Sequence, residues 1–102
     1  MAHLILWEFR PRPGSEREFE IAYGPRGEWA ALFAKGEGYL DTQLFRDLLD
    51  SSRYLTLDRW VSRDAFEAFR RLHAEAYEAL DRRCEELTSH EAALGAFETV
   101  EG

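Results

Sequence analysis

From His3 to about Arg10 the chain alternates, with His3, Ile5, Trp7 and Phe9 on one parity and Leu4, Leu6, Glu8 and Arg10 on the other. This is the two-residue period of a β-strand, and large apolar residues on both parities predict that both sheet faces are covered. Pro11 and Pro13 cannot donate to a ladder and, with Gly14, end the strand. Ser15 followed by Glu18 reads as a capping box, and Phe19, Ala22 and Tyr23 follow at helical spacing. Gly24-Pro25 breaks that helix, because proline lacks the N–H and glycine is a poor interior residue. A second helical piece, about Glu28 to Lys35, carries Trp29, Leu32 and Phe33 on one side and stops at Gly36 and Gly38.

The second and third strands are expected at about Tyr39 to Asp47 and about Arg53 to Val61, joined as a hairpin by the polar turn Asp50-Ser51-Ser52. Alternation in the third strand groups Asp58 with Tyr54, Thr56 and Trp60, and Arg59 with Leu55 and Leu57. Ser62 reads as the N-cap of one long helix reaching about Leu87. Its buried stripe is Phe66, Phe69, His73, Tyr77, Leu80, Cys84 and Leu87, at spacings of three and four. A short last strand is expected from about Gly95 to Val100. The order β-α-β-β-α-β predicts an α+β, ferredoxin-like fold: a four-stranded antiparallel sheet with the helices on one face. The other face would leave Leu and Phe side chains in water, so a second copy is expected to cover it, giving a homodimer.

Composition narrows the partners. The 102 residues suit one domain, 1–102, and a hydrophobic share of 45% argues against disorder. A formal charge of -7 without a basic block disfavours nucleic acid and anionic membrane. No apolar run approaches the roughly 20 residues that span a bilayer, and no signal-peptide pattern opens the chain. Cys84 is the sole cysteine, which fits a reducing cytoplasm. His3, His73 and His90 are widely separated and no CxxC occurs, so no metal site is expected. The phosphate cradles of dinucleotide and nucleoside triphosphate sites are likewise missing, as is the GxSxG nucleophile elbow, and no cofactor is expected.

Three stretches carry a resemblance: Trp7-Glu8-Phe9-Arg10-Pro11-Arg12-Pro13-Gly14, Gly38-Tyr39-Leu40, and the run from Tyr54 through Trp60 and Ser62 to Ala65-Phe66. In them the chain resembles the antibiotic biosynthesis monooxygenase family, dimeric α/β barrels built from ferredoxin-like units. That resemblance implies a pocket between sheet and helices, lined by Trp7, Trp60 and the stripe of the long helix. It implies a cofactor-independent monooxygenase acting on a small hydrophobic or aromatic molecule of quinol or anthrone type. A non-catalytic barrel that only binds such a ligand is the alternative, and heme degradation a third reading. Heme-degrading members carry an Asn near the position of Trp7, and this chain has no Asn. Anthrone-type oxygenases carry a Tyr where Phe66 stands here.

Several residues are candidates for the chemistry. Trp60 could stack an aromatic substrate and donate its indole N–H, or simply pack. His73 could act as a general base, since cofactor-free oxygenation needs the substrate anion; its other reading is a core histidine. Tyr77 could bond His73 or a substrate carbonyl, with Trp7, Phe66 and Phe69 forming apolar walls. Asp58 is either a pocket-facing acid or base, or half of an ion pair at the dimer interface. Tyr23 and Trp29 could close the pocket or serve the core.

Overall fold

The computed structural model describes residues 1–101. Strand β1 spans His3–Pro11, helices α1 and α2 span Glu16–Tyr23 and Glu28–Phe33, and strands β2 and β3 span Tyr39–Arg46 and Tyr54–Trp60. Helices α3 and α4 span Arg63–Leu72 and Ala74–Cys84; a 3-10 turn at Glu85–Leu87 leads into β4, Thr88–Glu98. The sheet order is β2-β3-β1-β4 with every neighbouring pair antiparallel. This is the ferredoxin-like α+β architecture.

The hairpin closes where the polar turn predicts it. Asp47 Oδ1 accepts from the Leu49 N–H at 2.7 Å, and Arg53 donates to Asp47 at 3.0 Å. The Gly24-Pro25 break is present, with Gly24 extended at the end of α1. Ser62 caps α3 by accepting from the Ala65 N–H at 3.1 Å. Gly38 opens β2 at φ +89°, and a Cβ there would lie 2.6 Å from Val61 Cγ2 and 2.8 Å from Ala65 Cβ. Only glycine fits that conformation and that approach.

Three expectations need correction. The Ser15 side chain makes no cap bond: its ψ of 10° is not the extended geometry of a capping residue, and Glu16 instead accepts from the Gly14 N–H at 2.8 Å. The long helix is two helices, because His73 leaves helical geometry at φ -119°, ψ 28°. The last strand begins at Thr88 rather than about Gly95, paired with β1 from Pro11 back to His3 across two register shifts. That pairing gives the backbone of 88–94 the ladder partners it would otherwise lack.

The core lies between the sheet and the helices and is dominated by aromatic rings. Phe9, Phe19, Tyr23, Trp29, Phe33, Tyr54, Trp60 and Phe69 are all buried there. On β3 the buried set is Tyr54, Thr56, Asp58 and Trp60, the parity read from the alternation. The opposite face carries Leu4, Leu6, Leu55 and Leu57, each half-buried, with Phe45 and Phe97 exposed. Arg59 lies on that face and holds Asp41 through two 2.8 Å bonds.

Candidate functional site

A cavity of about 290 Å³ opens between the middle of the sheet and the helices. Trp7 and Phe9 reach it from β1, Thr42 from β2, Thr56 and Asp58 from β3, and Glu91 from β4. Tyr23, Trp29 and Phe33 wall it from α1 and α2, while Arg70, Tyr77 and Asp81 come from α3 and α4. Trp29 meets Tyr77 edge-to-face with ring centres 5.0 Å apart. The walls therefore offer aromatic surface, with a few polar groups set among it. That is the usual make-up of a small-molecule site.

Asp58 is the polar centre. It is only 7% exposed, and its Oδ1 accepts from Thr42 Oγ1 at 2.7 Å. The Tyr39 hydroxyl lies 2.7 Å from the same Thr42 oxygen. The single Thr42 proton is committed to the carboxylate, so Tyr39 donates to Thr42 and the three groups form a chain. No ion pair reaches Asp58 among the described residues. Burial pushes its pKa up from 3.8 to about 6; the Thr42 bond offsets part of that rise, and the nearby Asp41 charge adds to it. A carboxyl titrating near 6 is mostly ionised at neutral pH, yet basic enough to accept a proton and give it back.

The other titratable groups of the wall are also shifted by burial. Tyr77 is raised mainly by desolvation, with the Arg70 charge opposing, and Tyr23 is raised by burial and by its neighbour Cys84. Glu91 is raised by burial and then by the charges of Asp81 and Glu85. The Cys84 thiol is buried and pushed up, which fits a structural thiol better than a nucleophile. Among the described residues no group of three or more His, Cys, Asp or Glu is arranged to hold a metal ion.

The predicted site residues divide. Trp7, Tyr77 and Asp58 share the cavity. Trp60 and Phe69 lie behind its wall: Trp60 is fully buried between Phe33, Tyr39, Phe66 and Phe69, and its Nε1 has no described partner. Phe66 packs on Trp60 and faces a second hollow, beside His3 and Phe97 at the far end of the sheet. His73 sits at the α3–α4 junction, stacked on Phe69 at 5.2 Å, and is not part of the cavity wall. Tyr23 and Trp29 serve both core and cavity. Sequence reasoning missed Phe9, Phe33, Thr42, Thr56, Arg70, Asp81 and Glu91 as wall residues. Asp81 carried a signal, since it stands four residues after Tyr77 on one helical face.

Comparison with curated proteins finds no match to this chain. Solved structures share its fold at low identity. SnoaB in a mutant form, described as a cofactor-independent oxygenase from Streptomyces nogalater, superposes with a TM-score of 0.77 at 17% identity, covering 99% of this chain and 95% of that one. The protein Rv0793 from Mycobacterium tuberculosis gives 0.71 at 16%, covering 100% and 98%. A conserved protein from Methanosarcina mazei gives 0.72 at 12%, covering 98% and 94%. At these identities the likeness is one of fold. The family model for antibiotic biosynthesis monooxygenases matches residues 2–80, the greater part of the sheet and all but the end of α4, and the chain belongs to that family.

Proposed function

We propose that this chain is a monooxygenase that works without a bound cofactor on a small aromatic molecule of quinol or anthrone type. The observation that carries the reading is Asp58: a buried carboxyl with a pKa near 6, bonded by Thr42, at the wall of an aromatic cavity. Family membership and the fold shared with a cofactor-independent oxygenase support it.

In this reading Asp58 takes the proton from an activated carbon of the substrate. The carbanion reacts with molecular oxygen to give a peroxide, which recovers the proton from Asp58. Loss of water then leaves a carbonyl, so one CH2 group and one O2 become one C=O and one H2O. Aromatic walls exclude water and hold the ring flat, and Tyr39 and Thr42 keep Asp58 oriented. This assigns the base to Asp58 in place of His73, and gives Trp60 a packing role.

The cavity between Trp7 and Tyr77 is open, which leaves room for a ligand, and the buried Asp58 with its raised pKa at the wall favours catalysis over a barrel that merely binds. We also infer a homodimer through the open sheet face, where Leu4, Leu6, Leu55 and Leu57 form an apolar band. The test is oxygen uptake with anthrone. Wild type should exceed the uncatalysed rate and Asp58→Asn should not; equal rates in the two proteins would reject Asp58 as the base.

A further inference from the structure

Arg70 is the one cation among the residues that wall the cavity. Its guanidinium carbon lies 4.0 Å from the centre of the Tyr77 ring, the spacing of a cation–π contact. Stacking of this kind fixes the plane of the guanidinium but uses none of its five N–H donors. Asp81 and Glu91 wall the same cavity, yet neither comes within ion-pair distance of Arg70 among the described residues. By contrast Arg10, Arg53, Arg59, Arg63 and Arg83 are all spent on carboxylates. The donors of Arg70 are therefore held in place over an aromatic wall and left available.

We propose that Arg70 determines specificity by receiving an anionic substituent of the substrate, so that the ligand is an aromatic acid: a ring bearing a carboxylate beside its reacting hydroxyl or carbonyl. This deepens the reading of the cavity as a site for small aromatics and rests on it. The planar guanidinium meets a carboxylate edge-on with two parallel bonds, while the ring of the ligand continues the aromatic wall of Tyr77 and Trp29. The acids do not defeat this arrangement. Burial, the largest influence on both Glu91 and Asp58, favours their neutral forms, and Asp81 lies beyond ion-pair distance of Arg70 among the described residues.

Calorimetric titration with two matched ligands, 1-hydroxy-2-naphthoate and 1-naphthol, tests the inference without requiring turnover. Wild type should bind the acid about tenfold more tightly than the naphthol, the factor to which one charge-assisted hydrogen bond converts. Arg70→Gln should abolish that preference while leaving naphthol affinity within about twofold, and Arg70→Lys should keep part of it, because charge survives and the fork does not. Arg70 is exposed and loses only its stacking on Tyr77, so the variants should melt within a few degrees of wild type, which checks the fold. Naphthol binding with no preference for the acid, or a preference that survives Arg70→Gln, overturns the assignment and leaves the cavity reading standing. Tighter binding of 1-naphthylmethylamine than of the acid overturns it too, since aromatic walls and carboxylates would then be selecting a cation. Failure of all three ligands to bind sinks the cavity reading and this inference together.

Discussion

Thr42 and Asp58 face each other across the β2–β3 ladder, and the threonine hydroxyl donates to the carboxylate at 2.7 Å. The cross-strand register thus places a hydroxyl beside a carboxyl that is buried against aromatic rings and has no counter-charge among the described residues. Such a group costs stability in its charged form and gains reactivity from the same cause.

Asp58→Asn should therefore stabilise the protein while removing the proposed base. In the folded chain Asp58 keeps its proton up to about pH 6, against an ordinary value of 3.8. Between those values the folded state binds more protons than the unfolded one, so stability falls as pH rises, by roughly 2–3 kcal/mol in full. The asparagine still accepts from Thr42 and carries no charge. Urea denaturation at pH 8 should show a gain of roughly 1–3 kcal/mol over wild type, shrinking to nothing near pH 4. A variant less stable than wild type at pH 8 would contradict the burial account.

Thr42→Val tests the bond itself. Losing the donor removes the influence that lowers the Asp58 pKa, so the acid limb of any rate profile should move to higher pH. Activity from this base appears as pH rises through the Asp58 pKa, and it should appear later in the variant. A stability loss of about 1–3 kcal/mol is expected, as Tyr39 and Asp58 each lose a partner. An unmoved acid limb would show that Thr42 does not govern Asp58.

His73→Ala separates the junction from the site. His73 stacks on Phe69 and lies outside the cavity wall, so turnover should stay within about threefold of wild type, a change of under 1 kcal/mol in barrier. Loss of activity with an unchanged melting temperature would restore His73 as a catalytic candidate.

Gly36→Ala probes the packing behind the cavity. A Cβ there would lie 2.9 Å from Phe69 Cδ1 and 3.0 Å from two atoms of Trp60, both rings being fully buried and unable to yield. Overpacking of this kind costs about 1–3 kcal/mol, readable as a lower denaturation midpoint. A variant as stable as wild type would mean that the Trp60 layer is looser than the structure shows.

Leu57→Lys addresses the open face. Leu57 sits on a central strand between Leu6 and Gln43, on the face opposite the helices. Wild type should sediment at twice the chain mass and the variant at one chain mass, since a dimer would bury two new charges. A monomeric wild type would remove the homodimer from the account.

Much of this fold is legible in the chain because its local signals agree with its tertiary arrangement. Pro11, Gly24-Pro25 and Ser62 mark boundaries by backbone chemistry, and the alternation of β3 assigns Asp58 and Arg59 to opposite faces. The bend at His73 had no such mark. Phe66, Phe69, His73, Tyr77, Leu80 and Cys84 keep helical spacing straight through it, and no glycine or proline interrupts them. The start of β4 was hidden for a related reason. Residues 88–94 contain Glu, two Ala and Leu, good helix formers, and pairing with β1 overrides that preference. The cavity was legible only in part, since Arg70, Glu91 and Asp58 come from α3, β4 and β3, elements that meet only in the tertiary structure.

The most direct test of the central claim is the initial rate of oxygen incorporation under 18O2 by protein stripped of metals and flavin, with anthrone as substrate. The account predicts one labelled oxygen atom in each product carbonyl, one O2 consumed per product, a rate well above the uncatalysed reaction in wild type, and a return to the uncatalysed rate in Asp58→Asn. A wild-type rate equal to that of buffer, or an Asp58→Asn rate equal to that of wild type, would contradict it.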